Sequence, residues 1–143
     1  MATGRIGAVI VAAGRGERAG QSTEGPKQYR RIGGVAVIRR TLETFLAHPA
    51  IAEVAVAIHA DDDALFREAA GALAGRVTVV QGGSTRQAST RLALLALKDR
   101  ALDAALVHDG VRPFVDAALI DRVVAGLAGG GGSLPALPVS DTL

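Results

Sequence analysis

The sequence predicts an α/β protein, a mostly parallel sheet with helices on both faces. Three observations carry this expectation. Short apolar runs rich in Val and Ile alternate with stretches of ten or more residues at helical spacing, the pattern of successive strand–helix–strand units. The runs are apolar almost throughout, as strands covered on both faces are. Glycine makes up 18 of 143 residues while aromatics are only 3%, which calls for an aliphatic core and frequent tight turns. A chain of this length suits one core.

Residues 6–12 form a β-branched run that Ala13-Gly14 ends, which reads as a buried strand. Irregular composition follows as far as Lys27. Thr41, Leu42, Phe45 and Leu46 recur at helical spacing across 38–47, and Pro49 stops that helix. Residues 52–59 form the next strand. Asp61, Asp62 and Asp63 then make a solvated helix start, placed where the helix dipole favours carboxylates, for a helix to about Leu73. A third strand at 77–80 turns through Gln81-Gly82-Gly83-Ser84 into a helix at 85–101, with Leu92, Leu95 and, as a further candidate, Ala88 on its inner face. Residues 104–107 are the fourth strand, 108–114 a polar loop and 117–127 a helix that ends in the four glycines at 129–132. Residues 134–139 are a candidate fifth strand, which Pro135 and Pro138 push to an edge or out of the sheet early. Right-handed crossovers gather the loops at 13–27, 81–84 and 108–114 on one rim, where ligands of such sheets bind.

The absence of Cys and Trp excludes a disulfide scaffold and a cysteine zinc site, and the scarcity of aromatics excludes a base-stacking platform. No apolar run approaches the roughly 18 residues of a membrane span, and residues 1–7 lack the apolar stretch of a signal peptide. A soluble, cytoplasmic protein is expected. Net charge is +2, unevenly spread. Residues 1–40 carry Arg5, Arg15, Arg18, Lys27, Arg30, Arg31, Arg39 and Arg40 against Glu17 and Glu24, and acidic residues outnumber basic ones in the rest. That distribution suits a local anion site and not a nucleic-acid footprint. His48, His59 and His108 lie far apart without metal-ligand spacing, so they are expected to pack or sit at the surface, with no metal cage built by the protein.

Gly14-Arg15-Gly16-Glu17-Arg18-Ala19 satisfies the dinucleotide fingerprint G-x-G-x-x-A after a strand. Gly20, Gly25 and Pro26, however, keep the chain irregular where a helix should begin, and the acidic residue expected some 20 positions on is missing. The run from Gly20 to Lys27 nearly copies the spacing of an ATPase phosphate loop, yet Pro26 removes an N–H from the anion cradle and Gln28 stands where Ser or Thr would hold magnesium. What survives is a small-residue backbone at Ala12, Ala13 and Gly14, followed by the cations Arg18 and Lys27. Two fixed cations suit phosphoryl chemistry, which works mainly by positioning and charge stabilisation. Lys27 is one of only two lysines among 16 basic residues, so a compact ammonium at this position stands out.

Five separated motifs together resemble the 2-C-methyl-D-erythritol 4-phosphate cytidylyltransferase family: Ala12-Ala13-Gly14-x-Gly16-x-Arg18, Gly25-Pro26-Lys27-Gln28-Tyr29, Gly82-Gly83-x-x-Arg86-x-x-Ser89, His108-Asp109-x-x-Arg112-Pro113 and Pro138-Val139-x-Asp141-Thr142. The resemblance implies a three-layer, Rossmann-like fold of nucleotidyltransferase type. It implies transfer of a cytidylyl group from CTP to methylerythritol phosphate, releasing pyrophosphate, in non-mevalonate isoprenoid synthesis. Ala12, Ala13, Gly14 and Gly16 would line the nucleotide, with Gly82, Gly83 and Ser89 on its cytosine side. Arg18 and Lys27 would stabilise the transition state. Asp109 and Arg112 would lie beside the triphosphate and the substrate phosphate, while Thr142 would contact substrate, in the family's homodimer from the neighbouring subunit. Magnesium would bridge the triphosphate. The resemblance implies no nucleic acid or membrane partner.

Ser84 stands where family members often have an acidic residue, and Gly110-Val111 replace a more usual pair of alanines. Arg86 is balanced between a ligand role and simple placement at a helix start. The long stretch from Arg18 to Lys27 is similar to that of members fused to the pathway's cyclodiphosphate synthase. Family chains continue past the Asp-Thr motif, so residues 1–143 are expected to be the nucleotide-binding part of a transferase domain. A sugar-phosphate or molybdenum-cofactor nucleotidyltransferase and a non-catalytic nucleotide-binding module are the alternatives.

Overall fold

The computed structural model describes residues 4–15 and 25–141. In chain order the elements are β1 (Ile6–Ala12), β2 (Arg31–Ile32), β3 (Val35–Ala36), α1 (Val37–Ala47), β4 (Ile51–Ile58), α2 (Asp63–Ala70), β5 (Thr78–Gln81), α3 (Arg86–Ala96), β6 (Ala104–Asp109) and α4 (Ala117–Gly126). Four strands form one parallel sheet in the order β5-β4-β1-β6. β2 and β3 form a separate antiparallel hairpin whose two-residue turn is Gly33-Gly34, at φ 59° and 80°. Both central residues need positive φ in such a turn, which glycine adopts without penalty. The Gly-Gly pair between Ile32 and Val35 is a hairpin signal legible in the sequence.

Strand alternation divides the core into two layers. Ile6, Ala8, Ile10 and Ala12 of β1 join Ile38, Leu42 and Phe45 of α1, Phe66 of α2 and Ile120 of α4 on one face. Val9 and Val11 face the other way, against Ala55 and Ala57 of β4 and Ala93 and Leu97 at α3. Helices therefore cover both faces of the sheet, and the expected three-layer α/β architecture is the observed one.

Several local expectations need correction. α3 ends at Ala96 and buries Ser89 and Ala93, whereas Leu92 and Leu95 are 37% and 43% exposed. Small residues four apart let the helix lie close over Ala55 and Ala57, and that approach rotates the leucines outward. We expect Ala93→Leu to cost about 1–3 kcal/mol by overpacking. Leu95→Gln should stay within about 0.5 kcal/mol in urea unfolding, and the reverse ranking would place the leucines inside.

α2 stops at Ala70 and not near Leu73, because Gly71 takes φ 59° and the chain continues as a 3-10 turn. His108 belongs to β6 and not to the loop after it. Residues 134–139 form no strand: Leu134, Leu137 and Val139 are exposed, and among the described residues β6 has a single neighbour, β1. An extended segment needs a partner ladder, and the two prolines withhold donors from any such ladder.

Candidate functional site

The C-terminal ends of β1, β5 and β6 meet at one rim, where a cavity of about 330 Å³ opens. Ala12, Ala13 and Gly14 form one wall, with Lys27 beside them. Gly83, Ser89 and Arg86 line the opposite side, and Asp109 contributes from the end of β6. Eight of the candidate residues, Arg86 among them, are thus brought together. Gly82 and Arg112 lie outside the lining, and Gly16, Arg18 and Thr142 fall outside the described residues.

Lys27 starts a short 3-10 turn, Lys27–Tyr29, entered from an extended Pro26. The Tyr29 amide donates to the Pro26 carbonyl at 3.1 Å and the Arg30 amide to that of Lys27 at 3.2 Å. Lys27 is exposed and Gln28 is buried, so the turn separates a charge for the cavity from an anchor for the interior. Gln28 Nε2 donates to the carbonyls of Ala12 and Gly14, each at 2.9 Å.

Across the cavity, Thr85 caps α3 by accepting from the Ala88 amide at 3.0 Å. The buried Ser89 hydroxyl accepts from the Gly83 amide at 3.1 Å, which fixes the turn between β5 and α3. A Cβ on Gly82 would collide with Ala13 Cβ and Ser89 Oγ. The missing side chain at 82 is therefore filled by the protein itself, whereas a Cβ on Gly14 would meet nothing within 4 Å. Gly82 serves close packing of two cavity walls, and Gly14 leaves its backbone approachable.

Asp109 Oδ1 accepts from the Val111 amide at 3.1 Å, and Oδ2 lies 3.0 Å from Arg86 Nη1 and 3.9 Å from Arg112 Nε. One carboxylate thus shapes the turn and pairs with two arginines. His108 fixes the same loop from behind. Its Nε2 donates to the Arg112 carbonyl at 2.9 Å, and its ring lies 5.0 Å from that of Phe45. The donor role is assigned from the acceptor opposite it.

Burial pushes the His108 imidazole below its ordinary value, outweighing the Arg112 carbonyl and Asp109, which favour the proton. The unfolded chain therefore takes up a proton first as pH falls through about 6.5. Stability should be full above that value, decline below it, and level off once the folded state's lower value is passed. We expect the pH dependence of urea unfolding between pH 7 and 5 to be shallower in His108→Gln than in wild type. Parallel curves would remove His108 from the effect.

One charge cluster has no counterpart in the sequence reading. Arg15 Nη2 lies 3.1 Å from Asp62 Oδ1, 3.6 Å from Asp61 Oδ2 and 2.7 Å from His59 Nδ1. His59 Nδ1 also accepts from the Asp61 amide at 3.1 Å. Asp62 is 1% exposed, which corrects the expectation of a wholly solvated Asp61-Asp62-Asp63 start. Among the described residues neither Asp62 oxygen nor the buried Tyr29 hydroxyl has a hydrogen-bond partner, leaving the Arg15 charge as compensation. Burial, then the Asp62 charge, push the Tyr29 phenol well above its ordinary range, with Arg15 opposing. Three adjacent aspartates give no sequence signal for which one turns inward.

A larger cavity of about 670 Å³ lies along β6 and α4, but its mainly aliphatic lining contains no Lys or Arg to meet a polyanion. Among the described residues no group of three His, Asp or Glu side chains could hold a metal, and no helix is long and apolar enough to cross a membrane.

Comparison with known proteins identifies the family. The family model "IspD: 2-C-methyl-D-erythritol 4-phosphate cytidylyltransferase" matches residues 6–143. A bifunctional enzyme IspD/IspF of Mesorhizobium japonicum is 63% identical over 99% of this chain, which spans 35% of that relative's length. A solved 4-diphosphocytidyl-2C-methyl-D-erythritol synthase superposes with a TM-score of 0.77 at 29% identity, covering 97% of this chain and 62% of that one. The Francisella tularensis 2-C-methyl-D-erythritol 4-phosphate cytidylyltransferase gives 0.68 at 26% identity, covering 88% and 53%. With residues of four of the five motifs lining one rim cavity and a family match running almost the length of the chain, this protein belongs to the 2-C-methyl-D-erythritol 4-phosphate cytidylyltransferase family.

Proposed function

We propose that this chain supplies the CTP site and the catalytic cations of an enzyme that transfers a cytidylyl group from CTP to 2-C-methyl-D-erythritol 4-phosphate. The observation that carries the reading is the convergence of the Ala12, Ala13 and Gly14 backbone, Lys27 and Asp109 on one cavity at the sheet rim. A phosphate oxygen of methylerythritol phosphate attacks the α-phosphorus of CTP. The bond from that phosphorus to the oxygen bridging to the β-phosphorus breaks, and pyrophosphate leaves. Lys27, with Arg18 by family resemblance, offsets charge growing on the phosphoryl oxygens. Gly83 and Ser89 face the cytosine, and Arg112 faces the substrate phosphate.

Asp109 is the carboxylate in the described lining, and its oxygens are already engaged by Val111 and Arg86. That donor set fits a magnesium ion carried by the triphosphate, with Asp109 facing it, better than a resident ion. When bound, magnesium neutralises phosphate charge. A homodimer in the cytoplasm, with Thr142 reaching the neighbouring subunit's substrate, completes the reading.

Calorimetry of the full-length protein against CTP, UTP, GTP and NAD, each with magnesium, tests it. CTP is expected to bind selectively and, with methylerythritol phosphate, to release pyrophosphate. Selective NAD binding would sink the transferase reading, and CTP binding without turnover would leave a binding module.

A further inference from the structure

Gln28 makes a connection that the sequence did not announce. It is 3% exposed, and both donors of its amide are spent on carbonyls from the other side of the first loop, Ala12 and Gly14. Fourteen to sixteen residues of chain separate these partners, so their contact is held by this amide and not by chain continuity. Those carbonyls belong to the wall that a nucleotide would approach, and Lys27 is the residue immediately before Gln28. The 3-10 turn passes the constraint on, since the Tyr29 and Arg30 amides close on Pro26 and Lys27.

We propose that Gln28 is a positioning residue, which sets the Lys27 ammonium against the Ala12–Gly14 wall and so acts on the transition state through Lys27. This rests on the cytidylyl-transfer reading. An amide suits the task because its two N–H groups diverge from one nitrogen and meet two acceptors, where a carboxylate would meet them with oxygens. A catalytic group displaced by about 1 Å can lose on the order of 10²-fold in rate, so a buried pair of hydrogen bonds that sets the place of Lys27 has kinetic weight.

The test uses full-length protein, with wild-type turnover of CTP and methylerythritol phosphate as the control; absence of wild-type turnover refutes the reading of function and not the role of Gln28. Gln28→Met keeps the length and apolar bulk of the side chain and removes both donors. Its kcat is expected to fall roughly 10- to 100-fold, while the CTP dissociation constant from calorimetry stays within about threefold. In a Lys27→Ala background the same change should cost less than about threefold, because the residue through which it acts is gone. An unchanged kcat in a folded variant, or equal losses in the two backgrounds, overturns the proposal. Gln28→Glu gives a second arm should the Met variant not fold. Its carboxylic acid form regains one donor, so its rate relative to wild type should rise as pH is lowered from 8 to 6. A flat ratio would again overturn the proposal.

Discussion

Lys27→Ala is expected to lower kcat for cytidylyl transfer by roughly 10²–10³-fold, equivalent to about 2.7–4 kcal/mol of barrier, as for loss of one preorganised transition-state donor. The physical cause is charge that develops on the oxygens of the α-phosphoryl group as the attacking oxygen closes in. Lys27 is exposed at the start of a hydrogen-bonded turn, and its segment is tied to the facing wall, so little reorganisation is needed when that charge grows. The Michaelis constant for CTP should move much less, because the backbone wall and the β5–α3 turn remain to hold the ground state. Lys27→Arg should recover only part of the loss, since a planar guanidinium does not place its charge where a compact ammonium does. Steady-state pyrophosphate release in the full-length enzyme measures all three. An unchanged kcat in Lys27→Ala would take this residue out of the mechanism.

Arg15→Ala carries the largest expected effect on stability. It strips the counter-charge from Asp62, a carboxylate that is 1% exposed and makes no hydrogen bond among the described residues. Breaking a buried pair from one side costs about 3–5 kcal/mol, because the charge left behind must be tolerated in a poorly solvated site. Arg15 is itself about a third exposed, which favours the lower end of that range. A melting temperature lower by on the order of 10 °C follows for a chain of this size. In an Asp62→Asn background the same replacement should cost no more than about 1 kcal/mol, since no charge is then left unpaired. Equal losses in both backgrounds would mean that Arg15 acts through the packing of its aliphatic stem. Chemical unfolding of the four proteins in this cycle decides between them.

Much of the scaffold was legible because its cues are local. β1 could be read as Ile6–Ala12 since both of its faces are buried, which leaves an apolar run that Ala13-Gly14 ends. α1 showed itself through Thr41, Leu42 and Phe45 at helical spacing, all of them buried. The cavity was legible in a different way. Small residues at 12–14 and 83 and a carboxylate at 109 lie at strand ends or just past them, a lysine at 27 lies in the first loop, and parallel topology carries strand ends to one rim.

The inner face of α3 was not legible, because the contact is made by Ser89 and Ala93 and the leucines beside them dominate any hydrophobic pattern. The closeness of the sheet selects small residues there, and closeness is a property of two elements together. Asp62 was hidden for the same reason: its neighbours in sequence are aspartates too, and only the arrival of Arg15 from 47 residues away makes its burial tolerable. Residues 134–139 have the composition of a strand, but strand formation is pairing, and these residues find no ladder among the described elements.

By itself, then, the sequence determined the order of the four parallel strands and of the helices between them, the small-residue and cationic loops, and the family, since periodicity, turn chemistry and motif spacing are properties of short stretches of chain. Only the tertiary structure decided which helix face is buried, which of three aspartates turns inward, and that Gln28 joins the two sides of the first loop. Those outcomes depend on desolvation and on donor–acceptor distances between segments far apart in the chain, and these quantities come into being only when the segments meet.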